Sequence, residues 1–125
     1  MMAATAPQQR ADQLTSLGLT AEVAERLAAA DNDTMGRCIL ALYRSAVQPV
    51  MAELGRKLPA AAQRPGLAVL ATEDHYVGTE QMRRRAAQRA GARIEVLEGL
   101  GHWWMVQDPA RGADVLTQFW ASLPG

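Results

Sequence analysis

Apolar residues in the first half of the chain recur at the spacing of an α-helix. Thr20 can cap a helix that the Asp-Asn-Asp-Thr cluster at 31–34 ends. The apolar stripe of this helix consists of Val23, Leu27 and Ala30. Residues 1–19 lack a clear period, and we expect them to be mobile with at most a weak helical turn. The pattern therefore predicts that firm helical structure begins at Thr20.

Two further helices are predicted before the middle of the chain. Apolar residues recur every three or four positions from Met35 to about Val47, which is typical of an amphipathic helix. Pro49 can open the next helix, because proline is favoured in the first turn, and Pro59 ends it. An Ala-rich linker follows. Residues 20–58 are therefore expected to form a helical block.

The second half of the chain alternates between strand-like and helical spacing. Residues 67–71 are a continuous apolar run, which favours a strand buried on both faces, and residues 92–97 alternate between apolar and charged side chains. A helix over 80–90 joins these strands, and Pro109 opens a last amphipathic helix. Strands joined by a helical crossover lie parallel, so residues 65–125 are predicted to form a βαβα unit of the α/β class.

Composition narrows the classes of partner and compartment. The 125 residues contain 13 Lys and Arg against 13 Asp and Glu, so neither nucleic acid nor a membrane is an expected partner. A small apolar or neutral substrate fits this balance better. The single cysteine, Cys38, excludes an internal disulfide, and no run of about 18 apolar residues occurs, so we expect a soluble cytoplasmic protein.

The loops that follow the two predicted strands contain a carboxylate and an imidazole. Asp74 lies in the loop after the first strand and His102 in the loop after the second. Reactive groups collect at the carboxyl ends of parallel strands, which lie about 4.8 Å apart, so these two side chains can meet. A carboxylate that holds one imidazole nitrogen leaves the other free as a general base. Glu73 is a rival acid, and a buried histidine bonded to the backbone is the alternative for His102.

Three segments resemble the α/β hydrolases, and within them the epoxide-hydrolase-like capped branch. They are PGLAVLATED at 65–74, IEVLEGLGHWW at 94–104 and the Asp-Pro pair at 108–109. The resemblance implies that Asp74 is the acid and His102 the base of a catalytic triad. It also implies hydrolysis of an ester, epoxide or similar bond without a metal or organic cofactor.

The same resemblance implies roles outside the triad. The helical block over 20–58 corresponds to part of a cap over the substrate pocket, and Trp103, beside the base, lines that pocket. Tyr43 lies in the cap-like block, where a tyrosine can donate a proton to an opening epoxide; simple packing is the alternative. The arginine run at 83–85 is interpreted as a solvated helix face, and no Cys or His spacing indicates a metal site.

The nucleophile of such a hydrolase is missing from the sequence. The family places Ser, Asp or Cys at the centre of a G-x-S-x-G elbow. None of Ser16, Ser45 and Ser122 follows a glycine by two residues, and Gly36-Arg37-Cys38 supplies only half of an elbow. The chain therefore resembles the C-terminal part of an α/β hydrolase, a truncated fold that we expect to be inactive alone. A non-catalytic module that binds a partner or a small ligand is the alternative.

A sheet of two strands is marginally stable in water, and its edges and apolar faces need covering. We therefore expect the chain to self-associate as a homo-oligomer, to pair with a complementary chain that covers the sheet, or to belong to a longer reading frame. Each of these possibilities would extend the core beyond what the predicted βαβα unit can bury.

Overall fold

A computed structural model describes residues 6–124, which form two compact units. The first unit ends at Ala52 and the second begins at Glu53. The boundary falls inside a helix, α4, that spans Val50–Lys57. No helix among the described residues is long and apolar enough to cross a membrane.

The first unit is helical. Its helices are α1 over Pro7–Ser16, α2 over Ala21–Ala30 and α3 over Asp33–Ser45, followed by the start of α4. Helices α1 and α2 pack against each other, and the buried residues of this unit are Ala11, Leu19, Ala24 and Ala28. The side chains of Thr20 and Asn32 cap α2 and α3, so both helices begin close to their predicted positions.

The N-terminal segment corrects an expectation from the sequence. Residues 1–19 are predicted to be mobile, but Pro7–Ser16 form a helix. Pro7 occupies its first turn, and Ala11 is buried in the unit that α1 forms with α2. Short helices gain most of their stability from packing, which a weak sequence period does not reveal. The prediction for residues 1–5 lies outside the described residues.

The second unit contains a two-stranded sheet and its connecting helices. After α4 the elements are a 3₁₀ helix over Leu58–Gln63, β1 over Leu67–Ala71, α5 over Glu80–Arg89, β2 over Arg93–Leu97, α6 over Trp104–Gln107 and α7 over Pro109–Ala121. The Ala-rich segment predicted as a linker is therefore helical, with Pro59 in its first turn. Both strands lie where the sequence predicts them, and the α/β fold class is confirmed. The short helix α6 was not predicted.

The two strands pair in parallel, in a register that runs from Leu67 beside Arg93 to Ala71 beside Leu97. The buried apolar residues of this unit are Leu70, Ala71, Ala87 and Leu97. Only the carboxyl end of β1 is buried, whereas the sequence predicts burial along the whole strand. The reason is that β1 has one neighbouring strand, so its other edge is open. The core therefore lies at the end of the sheet from which the candidate loops depart.

Helix α7 is fixed by a close approach at a glycine. A Cβ atom at Gly112 would lie 2.7 Å from the ring of Trp104 on α6. Asp108 caps α7 with its side chain, as the Asp-Pro pair predicts. The guanidinium of Arg93 on β2 lies 5.7 Å from the centroid of the Phe119 ring, which ties the helix to the sheet.

Replacing Gly112 with Ala is expected to lower the free energy of unfolding by about 1–3 kcal/mol, because the new methyl group overlaps the Trp104 ring. Gly55 lies in α4 and has open space at its Cβ position. Gly55→Ala is therefore expected to raise the free energy of unfolding by about 0.4–1 kcal/mol. Urea denaturation followed by tryptophan fluorescence measures both, since all three tryptophans lie in the second unit. Equal stabilities of the two variants would contradict this packing.

Candidate active site

The carboxyl ends of β1 and β2 meet at one edge of the sheet, and two loops leave from there. We call residues 72–78 the acid loop and residues 98–103 the base loop. Oδ2 of Asp74 lies 3.0 Å from Nδ1 of His102. Because a carboxylate only accepts, Nδ1 carries the proton and donates it. Nε2 is then the nitrogen available to take a proton from a reacting group.

The acid loop itself holds Asp74, which is only 8% exposed. Its Oδ1 accepts a hydrogen bond from the backbone N–H of Tyr76 at 2.9 Å. Its own backbone N–H donates to the carbonyl of Ala71 at 3.2 Å. Both carboxylate oxygens therefore have a donor, and the side chain is fixed in the orientation that reaches His102.

Hydrogen bonds also join the acid loop to the base loop. The backbone N–H of Glu73 donates to the carbonyl of Leu100 at 2.9 Å. The backbone N–H of Gly99 donates to Oγ1 of Thr72, also at 2.9 Å. Gly99 has a φ of 74°, a left-handed conformation that glycine adopts without steric cost. These two hydrogen bonds therefore join the loops directly and help to fix the distance between Asp74 and His102.

Opposing effects act on the pKa of Asp74. Burial raises this pKa, but the remaining contacts together outweigh burial and leave the pKa below its ordinary value. The backbone N–H of Tyr76 and the ring of His102 donate hydrogen bonds to the carboxylate, and the positive charges of protonated His102 and Arg83 favour its ionised form. Asp74 is therefore an anion at neutral pH, as stabilisation of an imidazolium requires.

Two aromatic rings flank the imidazole. The ring centroid of Tyr76 lies 5.3 Å from that of His102, with 60° between the ring planes, and the centroid of Trp103 lies 5.1 Å away, with its ring nearly perpendicular at 83°. The side chain of His102 is 35% exposed. The rings therefore restrict the imidazole without closing it off. Nε1 of Trp103 is buried and has no hydrogen-bond partner within the described part of the chain.

The remaining predicted residues of the second unit do not contact the imidazole of His102 in the described part of the structure. Glu73, the rival acid, is exposed, and its carboxylate lies 3.7 Å from His75. The structure therefore brings Asp74, and not Glu73, to His102. Tyr43 lies on α3 in the first unit with 74% of its surface exposed, and its substrate contact stays a prediction. Among residues 6–124 no group of three or more His, Cys, Asp or Glu side chains could hold a metal ion.

Sequence reasoning missed several residues that hold the pair in place. Oε1 of Gln107 on α6 accepts from the backbone N–H of Gly101 at 2.8 Å, directly before His102. Tyr76 contributes a backbone donor to Asp74 and a ring beside the imidazole. No periodic pattern signals these contacts, because they depend on the paths of the loops. The closeness of Gln107 to the base loop along the chain is the one available signal.

Comparison with known proteins identifies the family. The model of the alpha/beta hydrolase family matches residues 2–115, and this match covers most of the chain. This protein therefore belongs to the α/β hydrolase family. No curated protein and no solved structure matches it. The match agrees with the parallel sheet and its helical crossover, and it extends the resemblance seen in the second half of the sequence to the first unit.

Asp74→Asn is expected to lower the free energy of unfolding at neutral pH by about 1.5–3 kcal/mol, because the bond to His102 loses its charge. The pKa of Asp74 is lower in the folded than in the unfolded protein. The stability that ionised Asp74 adds to the fold is therefore fully present above the pKa of an unfolded aspartate, about 3.9. It is lost as the pH falls through the lower pKa that Asp74 has in the folded protein. Urea denaturation at several pH values should show the difference between wild type and variant shrinking in acid.

Glu73→Gln is the matched control for this measurement. It removes the charge of an exposed neighbouring carboxylate that does not contact His102, so its stability should stay within about 0.5 kcal/mol of wild type. If Asp74→Asn and Glu73→Gln gave the same stability at every pH, the hydrogen bond between the Asp74 carboxylate and His102 would not stabilise the fold.

Proposed function

We propose that this chain carries the acid and the base of a hydrolase that cleaves an ester, epoxide or similar bond in a small apolar or neutral substrate. The observation that carries the proposal is the 3.0 Å contact between Oδ2 of Asp74 and Nδ1 of His102. Membership of the α/β hydrolase family supports it. We further propose a cytoplasmic location, which a single cysteine favours.

The reaction passes through a covalent intermediate. A nucleophile from outside these 125 residues attacks the electrophilic carbon of the substrate as the bond from that carbon to oxygen breaks. A hydroxyl or thiol nucleophile gives its proton to Nε2 of His102, which passes it to the departing oxygen; a carboxylate nucleophile has no proton to give, and the departing oxygen then takes one from water. In the second step Nε2 takes a proton from a water molecule, whose oxygen attacks the intermediate and splits it into product and free nucleophile. Asp74 stabilises the imidazolium, which gives this proton to the oxygen or sulfur that is released. The chain's own contribution is thus proton transfer and the activation of water.

The nucleophile comes either from a preceding segment of a longer reading frame or from a complementary chain. Both sources would also cover the open edge of β1, whose first three residues are only half-buried. Self-association would cover that edge without supplying an elbow. Trp103, whose ring lies nearly perpendicular to that of His102, lines the pocket in this proposal. The cap role of residues 20–58 stays a prediction.

Genomic DNA upstream of the codon for Met1 distinguishes the two sources. We expect an in-frame segment that encodes a strand, a G-x-[S/D/C]-x-G elbow and a helix. The residue at the centre of the elbow would identify the bond that is cleaved. A stop codon directly upstream would exclude the longer reading frame and leave a complementary chain as the source.

Activity measurements on the product that contains the elbow test the roles of the pair. His102→Ala is expected to lower turnover of aryl esters or epoxides by about 10²–10⁴-fold, because the intermediate loses its base. His75→Ala is the matched control, since that imidazole is exposed and lies beside Glu73, and its rate should equal wild type. Equal effects of the two substitutions would refute the proposal, and binding without turnover would favour the non-catalytic module.

A further inference from the structure

The three consecutive arginines of α5 have different surroundings. Arg84 pairs with Glu80 within the helix at 2.7 Å, and Arg85 is exposed. Arg83 is half-buried, and its Nη1 donates to the carbonyl of Ala71 at 2.9 Å. The interpretation of this run as a solvated face is therefore wrong for Arg83, which turns toward the end of β1.

The carbonyl of Ala71 marks the point at which the acid loop leaves the sheet. The next residue, Thr72, donates its backbone N–H to Leu97 on β2, so in a parallel pair the backbone of Ala71 points to the opposite edge. At that edge its oxygen accepts from the N–H of Asp74 and from the guanidinium of Arg83. Arg83 thus donates to the same carbonyl oxygen of Ala71 that accepts from the backbone N–H of Asp74.

We infer that Arg83 is a positioning residue, whose guanidinium anchors the end of β1 from which the acid loop carries the carboxylate of Asp74 to His102. Its charge works in the same direction, because it favours the ionised form of Asp74. Nε of Arg83 is buried and finds no partner within the described part of the chain. Because Arg83 is partly shielded from water, its charge acts more strongly on a nearby carboxylate than the charge of a fully exposed arginine would.

Nuclear magnetic resonance on the intact chain tests this inference without turnover. The signals are the titration of the Asp74 carboxyl carbon and the proton that His102 Nδ1 donates. With Arg83→Met we expect the titration of Asp74 to move to higher pH and the Nδ1 proton signal to be lost to exchange with water. With Arg83→Lys, which keeps the charge, the titration should lie closer to wild type. Arg85→Met, on the exposed face of the same helix, should change neither signal.

The variants separate a positioning role from a general loss of structure. Unchanged Asp74 and His102 signals in folded Arg83→Met would overturn the inference, as would identical shifts in the Met and Lys variants. If Arg83→Met did not fold, the comparison of Arg83→Lys with Arg85→Met would decide, since only the first should alter the Nδ1 signal. The catalytic consequence rests on the proposed function, but these signals report the positioning even if no substrate is hydrolysed.

Discussion

Pairing of β1 with β2 in the register that sets Ala71 beside Leu97 ends both strands at one level, and the geometry of the candidate site follows from that. The ladder continues one step beyond the strands, where Thr72 donates to Leu97, and the loops then exchange further hydrogen bonds. A shift of one residue would turn every side chain of a strand to the opposite face. Strand pairing thus brings the two loops together, and the contacts within and between the loops then set the hydrogen bond of Asp74 with His102.

The sequence predicts the helices and strands that have a clear pattern of apolar residues. It does not predict features that depend on a few contacts between distant parts of the chain. The crossover helix and β2 follow from the spacing of their apolar residues, and β1 follows from its continuous apolar run. Asp74 and His102 become candidates because they lie in the loops after the strands. Helix α1 escapes prediction because its burial depends on α2. The contact of Arg83 with Ala71 depends on how α5 packs against the sheet, and the local sequence of α5 does not reveal this packing. The preference for Asp74 over Glu73 likewise depends on the turn that Tyr76 closes.

Each unit buries only a few apolar side chains among the described residues. In the second unit, Leu97 is a large side chain without accessible surface, and it lies where β2 gives way to the base loop. On α3 none of the residues is buried, and large apolar side chains such as Ile39 and Leu42 are exposed. A core of this size supports the proposal that a further segment or chain covers the sheet. Leu97, the largest fully buried side chain among the described residues, nevertheless lies at the carboxyl ends of the strands, beside the candidate site.

The bond between the two loops that joins Glu73 to Leu100 uses backbone groups only. Its formation does not depend on the side chains at these two positions, so those side chains are free to differ. Residues around the acid and the base could therefore be exchanged during evolution to suit new molecules while the distance between Asp74 and His102 is preserved. Main-chain bonds of this kind preserve the geometry of the Asp74–His102 pair, whereas the side chains around it are free to vary.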